Sequence, residues 1–261
     1  MSILLSGDFH IDSRGELAYI TREYLLERYN PELFDEINYH IILGDGGFLW
    51  PGQGEKEASL FKELAKRPFP ILCVMGNHEP VLGRPDLPEI DIGIGEKVIL
   101  VNEKNPLLVF LKRGKVYNID KWKFLALGGA LSIDKMFRRP NISWWENEYW
   151  TTEEESELFA LLEKENNFDY VLSHTGPNRI NLKVFSQNGT GIQMKCHDKV
   201  AKLNEEIDRR ISCKQWFCGH WHQVFYYYDK ELKRGYQYLY YETALMRDKE
   251  IIAPEDTVQQ D

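Results

Sequence analysis

The side chains best suited to chemistry are carboxylates, one amide and imidazoles that directly follow predicted strands. Five separate segments of the 261-residue chain contribute to this set, and five of the seven histidines belong to it. Imidazole together with carboxylate oxygen favours divalent transition metals such as zinc, iron or manganese. Because no cysteine belongs to the set, a structural zinc site is not indicated. The residues, in chain order, are Asp8, His10, Asp45, Asn77, His78, His174, His220 and His222.

The elements that must position these residues begin with strands that alternate with helices. Apolar runs predict strands at 2–6, 39–43 and 69–75, and helical spacing predicts helices at 20–34 and 56–66. This order of strands and helices is typical of a parallel sheet with right-handed crossovers. Ligands collect at the carboxyl ends of the strands in open α/β sheets. We therefore expect the polar residues to meet along one rim.

The rest of the chain predicts shorter strands in close succession, followed by strands and helices in alternation. No internal repeat and no linker rich in Pro, Gly or Ser interrupts it. We expect one domain over residues 1–261 in the α/β class, with two sheets packed face to face and helices outside. The predicted strands are 97–101, 107–111, 115–119, 123–127, 170–173, 215–218, 224–228 and 236–241, and the predicted helices are 151–165 and 200–210.

Composition restricts the classes of partner. The formal net charge of −9 argues against a broad electrostatic grip on nucleic acid. No apolar run approaches the about 20 residues of a membrane span, and the first residues lack the basic segment of a signal peptide. Cys73, Cys196, Cys213 and Cys218 show no C-x-x-C spacing, so we expect free thiols, a reducing compartment and a cytoplasmic location.

Glycines flank most of the candidate residues, and together they form five short blocks. The blocks resemble those of the calcineurin-like metallophosphoesterase family, and the stretch 127–139 resembles one found in its bacterial and phage members. A single block is common, but five in this order, each after a predicted strand, are specific. The blocks are Gly7-Asp8-Phe9-His10, Gly44-Asp45, Gly76-Asn77-His78-Glu79, Ser173-His174 and Gly219-His220-Trp221-His222.

The resemblance implies a fold and a role for each residue. The family fold is a four-layer α/β/β/α sandwich of two mixed β-sheets flanked by helices, which agrees with the two predicted sheets. His78 would not bind metal but would face the substrate, as a proton donor or a phosphate contact. Asp45 would bridge two metal ions. The first ion would be held by Asp8, His10 and His222, and the second by Asn77, His174 and His220.

Two such ions imply hydrolysis of a phosphoester. A water shared by two cations about 3.5–4 Å apart is acidified enough to be hydroxide near neutral pH. This metal-bridging hydroxide would attack phosphorus in line, while the ions (manganese, iron or zinc) neutralise phosphoryl oxygens. The expected substrate is a small or nucleotide-like molecule, either a phosphomonoester or a phosphodiester.

The second block departs from the pattern of the phosphoprotein phosphatases in the family. Those members read Gly-Asp-x-x-Asp-Arg, whereas here Phe48 stands in place of the acid and Leu49 in place of the phosphate-binding arginine. A Ser/Thr phosphoprotein phosphatase is therefore the second hypothesis, and a non-catalytic binding scaffold is the third. A basic loop after the predicted strand 123–127 is the candidate replacement. Its substrate-binding residues would be Lys135, Arg138 and Arg139.

Overall fold

The structure, a computed structural model, describes residues 2–8, 10, 22–29, 31–49, 62, 66–79, 81, 84, 86–101, 108–187, 198–247 and 250–252. Its strands form two sheets with both parallel and antiparallel neighbours. The strands are β1 (Ser2–Ser6), β2 (Ile37–Ile42), β3 (Ile71–Cys73), β4 (Glu89–Ile90), β5 (Val98–Leu100), β6 (Leu108–Phe110), β7 (Lys115–Ile119), β8 (Trp122–Ala126), β9 (Tyr170–Leu172), β10 (Gln215–Cys218), β11 (Phe225–Asp229), β12 (Arg234–Tyr238), β13 (Thr243–Arg247) and β14 (Glu250–Ile252).

The first sheet has the strand order β14-β13-β1-β2-β3-β6-β5-β4. Its central strands β1, β2, β3 and β6 run parallel, with Leu5 opposite Ile41 and Ile41 opposite Leu72. All five residues of β1 are buried. A strand covered on both faces reads as a continuous apolar run, which is why 2–6 could be recognised in the sequence.

The second sheet has the strand order β11-β12-β10-β9-β8-β7. Its four central strands run parallel, and the edge strands β11 and β7 are antiparallel to their neighbours. The main core lies between the two sheets. Leu5 and Ile41 of the first sheet share it with Phe124, Leu172 and Phe217 of the second.

Helices cover the outer face of each sheet. The helices Thr152–Lys164 and Lys199–Arg210 pack Leu158 and Ile207 onto the second sheet, where Trp216 lies in the same apolar cluster. Thr151 caps the first of these helices through a capping box with Glu154. Among the described residues, no helix combines the length and apolar character that a membrane crossing needs.

Two shorter helices, Arg22–Arg28 and Pro31–Asp35, cover the first sheet. Leu25 and Phe34 pack there against Leu4 and Leu245. The predicted four-layer α/β/β/α arrangement is thereby confirmed. The predicted single helix 20–34 is divided, because Pro31 has no N–H to continue a helix and suits the first position of a new one. The predicted helix 56–66 lies outside the described residues, except for Lys62 and Lys66.

Several elements were not predicted, namely the helix Asn178–Gln187 and the strands β4, β13 and β14. The sequence of β13, Thr-Ala-Leu-Met-Arg, contains residues that favour helices in isolation. Antiparallel pairing with β1, in which Leu245 lies opposite Leu4, overrides that preference. The remaining predicted strands lie close to observed ones, and 115–119 and 215–218 match β7 and β10.

Candidate metal centre

The predicted ligands lie on five loops, each at the carboxyl end of a strand. Backbone hydrogen bonds join these loops. The His10 N–H donates to the Asp45 carbonyl at 3.0 Å, and the Gly219 N–H donates to the His174 carbonyl at 2.8 Å. The loops of the two sheets are joined in turn by the ring of His174, whose Nδ1 lies 2.7 Å from the carbonyl oxygen of Leu43, so all five loops meet at one rim. The residues and the preceding strands are Asp8 and His10 (β1), Asp45 (β2), Asn77 (β3), His174 (β9), and His220 and His222 (β10).

Asp45 lies at the centre of the cluster and is buried. Its Oδ2 is 3.7 Å from His10 Nε2 and 3.2 Å from His174 Nε2. His78 approaches the same oxygen, with Nε2 at 3.7 Å, and the His78 backbone N–H donates to Asp45 Oδ1 at 2.9 Å. The carboxylate thus lies between two groups of possible ligands, which is the position a bridging ligand needs.

The first group lies on the side of β1. His10 Nε2 is 3.8 Å from Asp8 Oδ1 and 2.9 Å from His222 Nε2. The possible ligand atoms of Asp8, His10 and His222 all lie within 4.8 Å of one another. Such a cluster of one carboxylate oxygen and two imidazole nitrogens is a donor set that suits a divalent transition metal.

The second group lies on the side of β9. His174 Nε2 is 3.0 Å from Asn77 Oδ1, and His174 Nδ1 is 2.7 Å from the Leu43 carbonyl oxygen. The carbonyl accepts the Nδ1–H, which directs Nε2 toward the site, as is usual for metal-binding histidines. The ring of His220 is 5.0 Å from that of His174. His220 Nε2 is buried and makes no hydrogen bond to the described residues.

The backbone at these loops is strained. Non-glycine residues rarely adopt positive φ, and where they do the cost is tolerated mainly at functional sites. Of the described non-glycine residues with positive φ, five are candidate ligands. They are Asp8 (51°), His10 (35°), Asp45 (52°), His220 (71°) and His222 (49°).

Two glycines leave the space that the side chains of Asp45 and His174 occupy. A Cβ on Gly76 would lie 1.9 Å from Asp45 Oδ1. A Cβ on Gly44, whose φ is +88°, would lie 2.3 Å from His174 Nδ1. Glycine is required at both positions, because the loops approach each other more closely than any side chain permits.

The two carboxylates of the cluster differ in their electrostatic state. Burial, opposed by His174 and reinforced by the neighbouring Asp45, raises the pKa of Asp8 to about 8. Neither oxygen of Asp8 makes a hydrogen bond to the described residues. At Asp45 the burial effect is outweighed by His174 and His78, and the pKa of this carboxyl lies well below its ordinary value. Asp8 is therefore a buried carboxyl group whose negative charge His174 compensates only in part.

The histidines of the cluster also differ in charge, because some have a lowered pKa and one has a raised pKa. Burial keeps the pKa of His222 at about 4 and that of His220 well below its ordinary value, so both rings are neutral and can offer a lone pair. Burial also opposes the charged form of His174, but Asp45 and Asp8 outweigh it and raise that pKa to about 10. A metal cation would replace the His174 proton and would supply the charge that Asp8 lacks. The residues present therefore fit metal ions.

Glu79, the last residue of the block after β3, connects two of the loops that carry candidate ligands. Its buried carboxylate accepts the Gly46 N–H through Oε1 and the Gly76 N–H through Oε2, each at 2.8 Å. These two glycines adjoin Asp45 and Asn77 in sequence. Glu79 thereby fixes the loops after β2 and β3 relative to each other.

Arg138 contacts His78 at the edge of the site. Its Nη2 is 2.8 Å from His78 Nε2, and its Nη1 is 3.1 Å from His78 Nδ1. The Arg138 Nε lies 2.6 Å from the Asp134 carboxylate, which anchors the guanidinium. The structure thus brings one of the three predicted basic residues to the centre.

The other two basic residues lie elsewhere. Lys135 Nζ lies 3.7 Å from the centre of the Trp144 ring, a cation–π contact, and Arg139 is exposed. Phe48 and Leu49, which replace the acid and arginine of the phosphoprotein phosphatases, are buried in an apolar cluster with Met75. They do not offer polar groups to the site.

Tyr240 contacts the candidate ligand His222, and the sequence did not predict this contact. Its ring is stacked on that of His222, with centroids 4.6 Å apart and an angle of 9° between the planes. The tyrosine-rich run 236–241 was predicted as one strand, but β12 ends at Tyr238. The chain then turns toward the rim, which no alternation in the sequence indicates.

Two solved structures are similar to this chain. One solved crystal structure covers 97% of this chain and 99% of its own length, with a TM-score of 0.52 and 9% identity. The phosphopantetheinyl hydrolase of Mycobacterium tuberculosis covers 92% of this chain and 89% of its own, with a TM-score of 0.45 and 12% identity. The likeness to the first of these structures concerns the fold alone.

A comparison with curated protein sequences found no match. The model of the calcineurin-like phosphoesterase family, in contrast, matches residues 1–224. This region contains all five blocks and every candidate ligand. With most of its 261 residues matched, the chain belongs to the calcineurin-like phosphoesterase family.

Proposed function

We propose that the chain is a dinuclear-metal hydrolase of phosphoester bonds in small or nucleotide-like substrates. Membership of the family and the clustered ligands support a metal-dependent phosphoesterase. The observation that carries the dinuclear proposal is the position of Asp45 Oδ2, 3.7 Å from His10 and 3.2 Å from His174. In the proposal Asp8, His10 and His222 hold one ion, Asn77, His174 and His220 hold the other, and Asp45 contacts both.

Two bound divalent cations would supply an acidified water near neutral pH and positive charge for phosphoryl oxygens. The chain itself supplies the orientation of the ligands. Glu79 holds the loops that carry Asp45 and Asn77, and the Leu43 carbonyl fixes the ring of His174. The positive φ of five of these residues supports an arrangement that is built into the fold.

His78 and Arg138 would bind the phosphate. Burial, opposed by Asp45 and reinforced by His10 and Arg138, lowers the pKa of His78 to about 4. A neutral imidazole at neutral pH is a weak proton donor to a leaving group but a good hydrogen-bond partner for a phosphoryl oxygen. Of the two roles expected for His78, this favours the phosphate contact. Arg138 adds the guanidinium that Leu49 cannot provide.

A phosphoprotein phosphatase remains the weaker alternative within the family. It would need an acid near position 48 and an arginine near position 49, and both positions are filled by buried apolar side chains. The net charge of −9 also disfavours a long polyanionic substrate. A small phosphomonoester, whose extra charge Arg138 can meet, fits these features best.

The experiment is a metal-dependence assay with two generic substrates, an aryl phosphomonoester and an aryl phosphodiester. Metal-stripped wild type should be inactive, and Mn²⁺ titration should restore hydrolysis at two ions per chain. Asp45→Asn is the control that should recover no activity over the same titration. Full activity of verified metal-free protein would overturn the proposal. Restoration at one ion per chain would contradict the dinuclear part of it.

A further inference from the structure

We infer that Glu148 and Ser132 form a positioning pair that sets which end of the Asn77 amide faces the metal ions. The inference rests on the proposed metal centre and concerns residues outside the five sequence blocks. Asn77 Nδ2 donates to Ser132 Oγ at 3.0 Å, and Ser132 Oγ donates to Glu148 Oε2 at 2.6 Å. Asn77 Oδ1 then lies on the other side, 3.0 Å from His174 Nε2.

The direction of this chain of hydrogen bonds follows from the donors that each group owns. An asparagine amide has an oxygen at one end and an NH2 at the other, and a metal cation binds only the oxygen. A serine hydroxyl alone could meet either end, because it donates one proton and accepts through its lone pairs. Glu148 removes that choice. Once its carboxylate accepts the Ser132 proton, Ser132 can only accept from Asn77.

Glu148 is held in place by its surroundings. The three residues that these hydrogen bonds connect are all buried: Asn77 is 4% exposed, Ser132 2% and Glu148 2%. The Ser132 backbone N–H also donates to Glu148 Oε2, at 3.3 Å. Arg113 donates to the carbonyls on either side of Glu148, those of Asn147 at 3.0 Å and Tyr149 at 2.8 Å.

The turn that carries Ser132 is equally constrained. Gly129 has a φ of +83°, and a Cβ there would lie 2.2 Å from the Glu148 carbonyl oxygen. The Trp150 ring N–H donates to the Gly128 carbonyl at 2.8 Å. Burying a carboxylate without a cation is costly, and none of the ion pairs among the described residues includes Glu148. A role toward Asn77 explains why an acid occupies this position.

The test is a calorimetric Mn²⁺ titration of metal-stripped wild type, Glu148→Gln and Ser132→Ala. Outer partners of metal ligands contribute about 10–100-fold in affinity. We expect Glu148→Gln to weaken one binding event by that factor and to leave the other unchanged. Glutamine offers Ser132 an NH2 as well as an oxygen, so Ser132 is no longer restricted to donating toward residue 148 and the Asn77 amide is no longer held in one orientation. Glu146→Gln is the matched control, because it makes the same change at an exposed residue in the same turn.

A double-mutant cycle separates positioning from general stabilisation. In an Asn77→Asp background both ends of the side chain are oxygens, so Glu148→Gln should no longer affect affinity. Wild-type affinity of Glu148→Gln at both events, or an equal loss in the Asn77→Asp background, would overturn the inference. If Glu148→Gln fails to fold, Ser132→Ala decides in the same way. Failure of both to fold would assign the pair a stabilising role and also overturn it.

A second measurement needs no metal and keeps the inference apart from the proposed function. In metal-free wild type, NMR should find the Asn77 side-chain NH2 protected from exchange, and in Glu148→Gln that protection should fall at least tenfold. Absence of Mn²⁺ binding in the wild type would overturn the proposed centre, whereas unchanged protection in Glu148→Gln would overturn the amide orientation.

Discussion

The guanidinium of Arg138 lies against the ring of His78, with its two terminal nitrogens 2.8 Å and 3.1 Å from the ring nitrogens. It is anchored by the Asp134 carboxylate at 2.6 Å and by the Ser143 carbonyl at 3.2 Å. A cation fixed at this point can make charge-assisted hydrogen bonds to a phosphate. The chain therefore has an arginine at the site although residue 49 is leucine.

Arg138→Ala should reduce kcat/KM for an aryl phosphomonoester by the worth of a charge-assisted hydrogen bond, about 1.5–3 kcal/mol. The loss should be smaller for the diester, because a diester monoanion presents less charge. Steady-state kinetics on both substrates checks this, with metal content measured in parallel. Arg139→Ala is the matched control, since Arg139 is exposed in the same loop and should be silent. A silent Arg138→Ala, combined with a wild-type preference for diesters, would remove Arg138 from the substrate site.

His78→Ala tests whether His78 binds phosphate or donates a proton. Because the pKa of His78 is lowered to about 4, we expect phosphate binding. The rate should then fall by a similar factor for an alkyl phosphate, a poor leaving group, and for nitrophenyl phosphate, a good one. A general acid would instead contribute about 10²–10⁴-fold for the poor leaving group only. Such a difference between the two substrates would restore the proton-donor role.

Asp8→Asn should stabilise the metal-free protein while it weakens metal binding. The pKa of Asp8 is raised from 3.8 to about 8 in the fold. Between these values the folded chain retains a proton that the unfolded chain has lost, so the wild type loses stability as pH rises from about 4 to about 8. Asparagine removes this dependence. Chemical unfolding in a chelator at pH 5 and pH 8 should find the gain larger at pH 8.

Asp45→Asn provides the opposite case. The pKa of Asp45 is lowered well below 3.8, because His174 and His78 stabilise its charge. Its ionised form therefore contributes to the stability of the metal-free protein at neutral pH. The substitution should destabilise the metal-free chain under the same conditions.

The Asp8 prediction has its own contradicting outcome. A metal-free Asp8→Asn variant that is less stable than wild type at pH 8 would show that the charge of Asp8 is compensated.

Gly76→Ala should abolish metal binding at Asp45, because the new Cβ would lie 1.9 Å from Asp45 Oδ1 and must displace the carboxylate. Gly93→Ala is the control. Nothing lies within 4 Å of a Cβ at that position, and only its φ of +79° opposes the substitution. It should cost about 1 kcal/mol of stability and leave metal binding unchanged. Thermal unfolding and Mn²⁺ titration of both variants check the comparison, and normal metal binding by Gly76→Ala would contradict the close packing.

The position of the candidate ligands at the rim could be predicted from the sequence. A parallel strand that is buried on both faces appears in the sequence as a short apolar run, and the residues that follow the run lie on the loop at the rim. The run 2–6 followed by Asp8, and 215–218 followed by His220, carry this signal in consecutive residues. The four-layer fold follows from the same runs together with the resemblance. Cys73, Cys213 and Cys218 are free and buried, as expected, and Cys196 lies outside the described residues.

Contacts made across the fold could not be predicted in this way. Arg138 and His78 are 60 residues apart, and nothing in either segment distinguishes Arg138 from Arg139 before the Asp134 anchor is seen. Strand β13 was missed because Ala244, Leu245 and Met246 favour helices locally, and only pairing with β1 makes them a strand. Local sequence records local preference, whereas these features depend on neighbours brought together by folding.

The distribution of the ligands over two sheets has a consequence for proteolysis. Asp8, His10 and Asn77 come from the first sheet, whereas His174, His220 and His222 come from the second. Each proposed ion would thus be bound by residues from both sheets. Neither sheet alone could retain an ion after the two sheets separate. Since a ligand that binds only the folded state lowers the population of open forms, metal supply would set how long the chain survives a protease. Cells short of the metal would then lose the protein itself, and not only its activity.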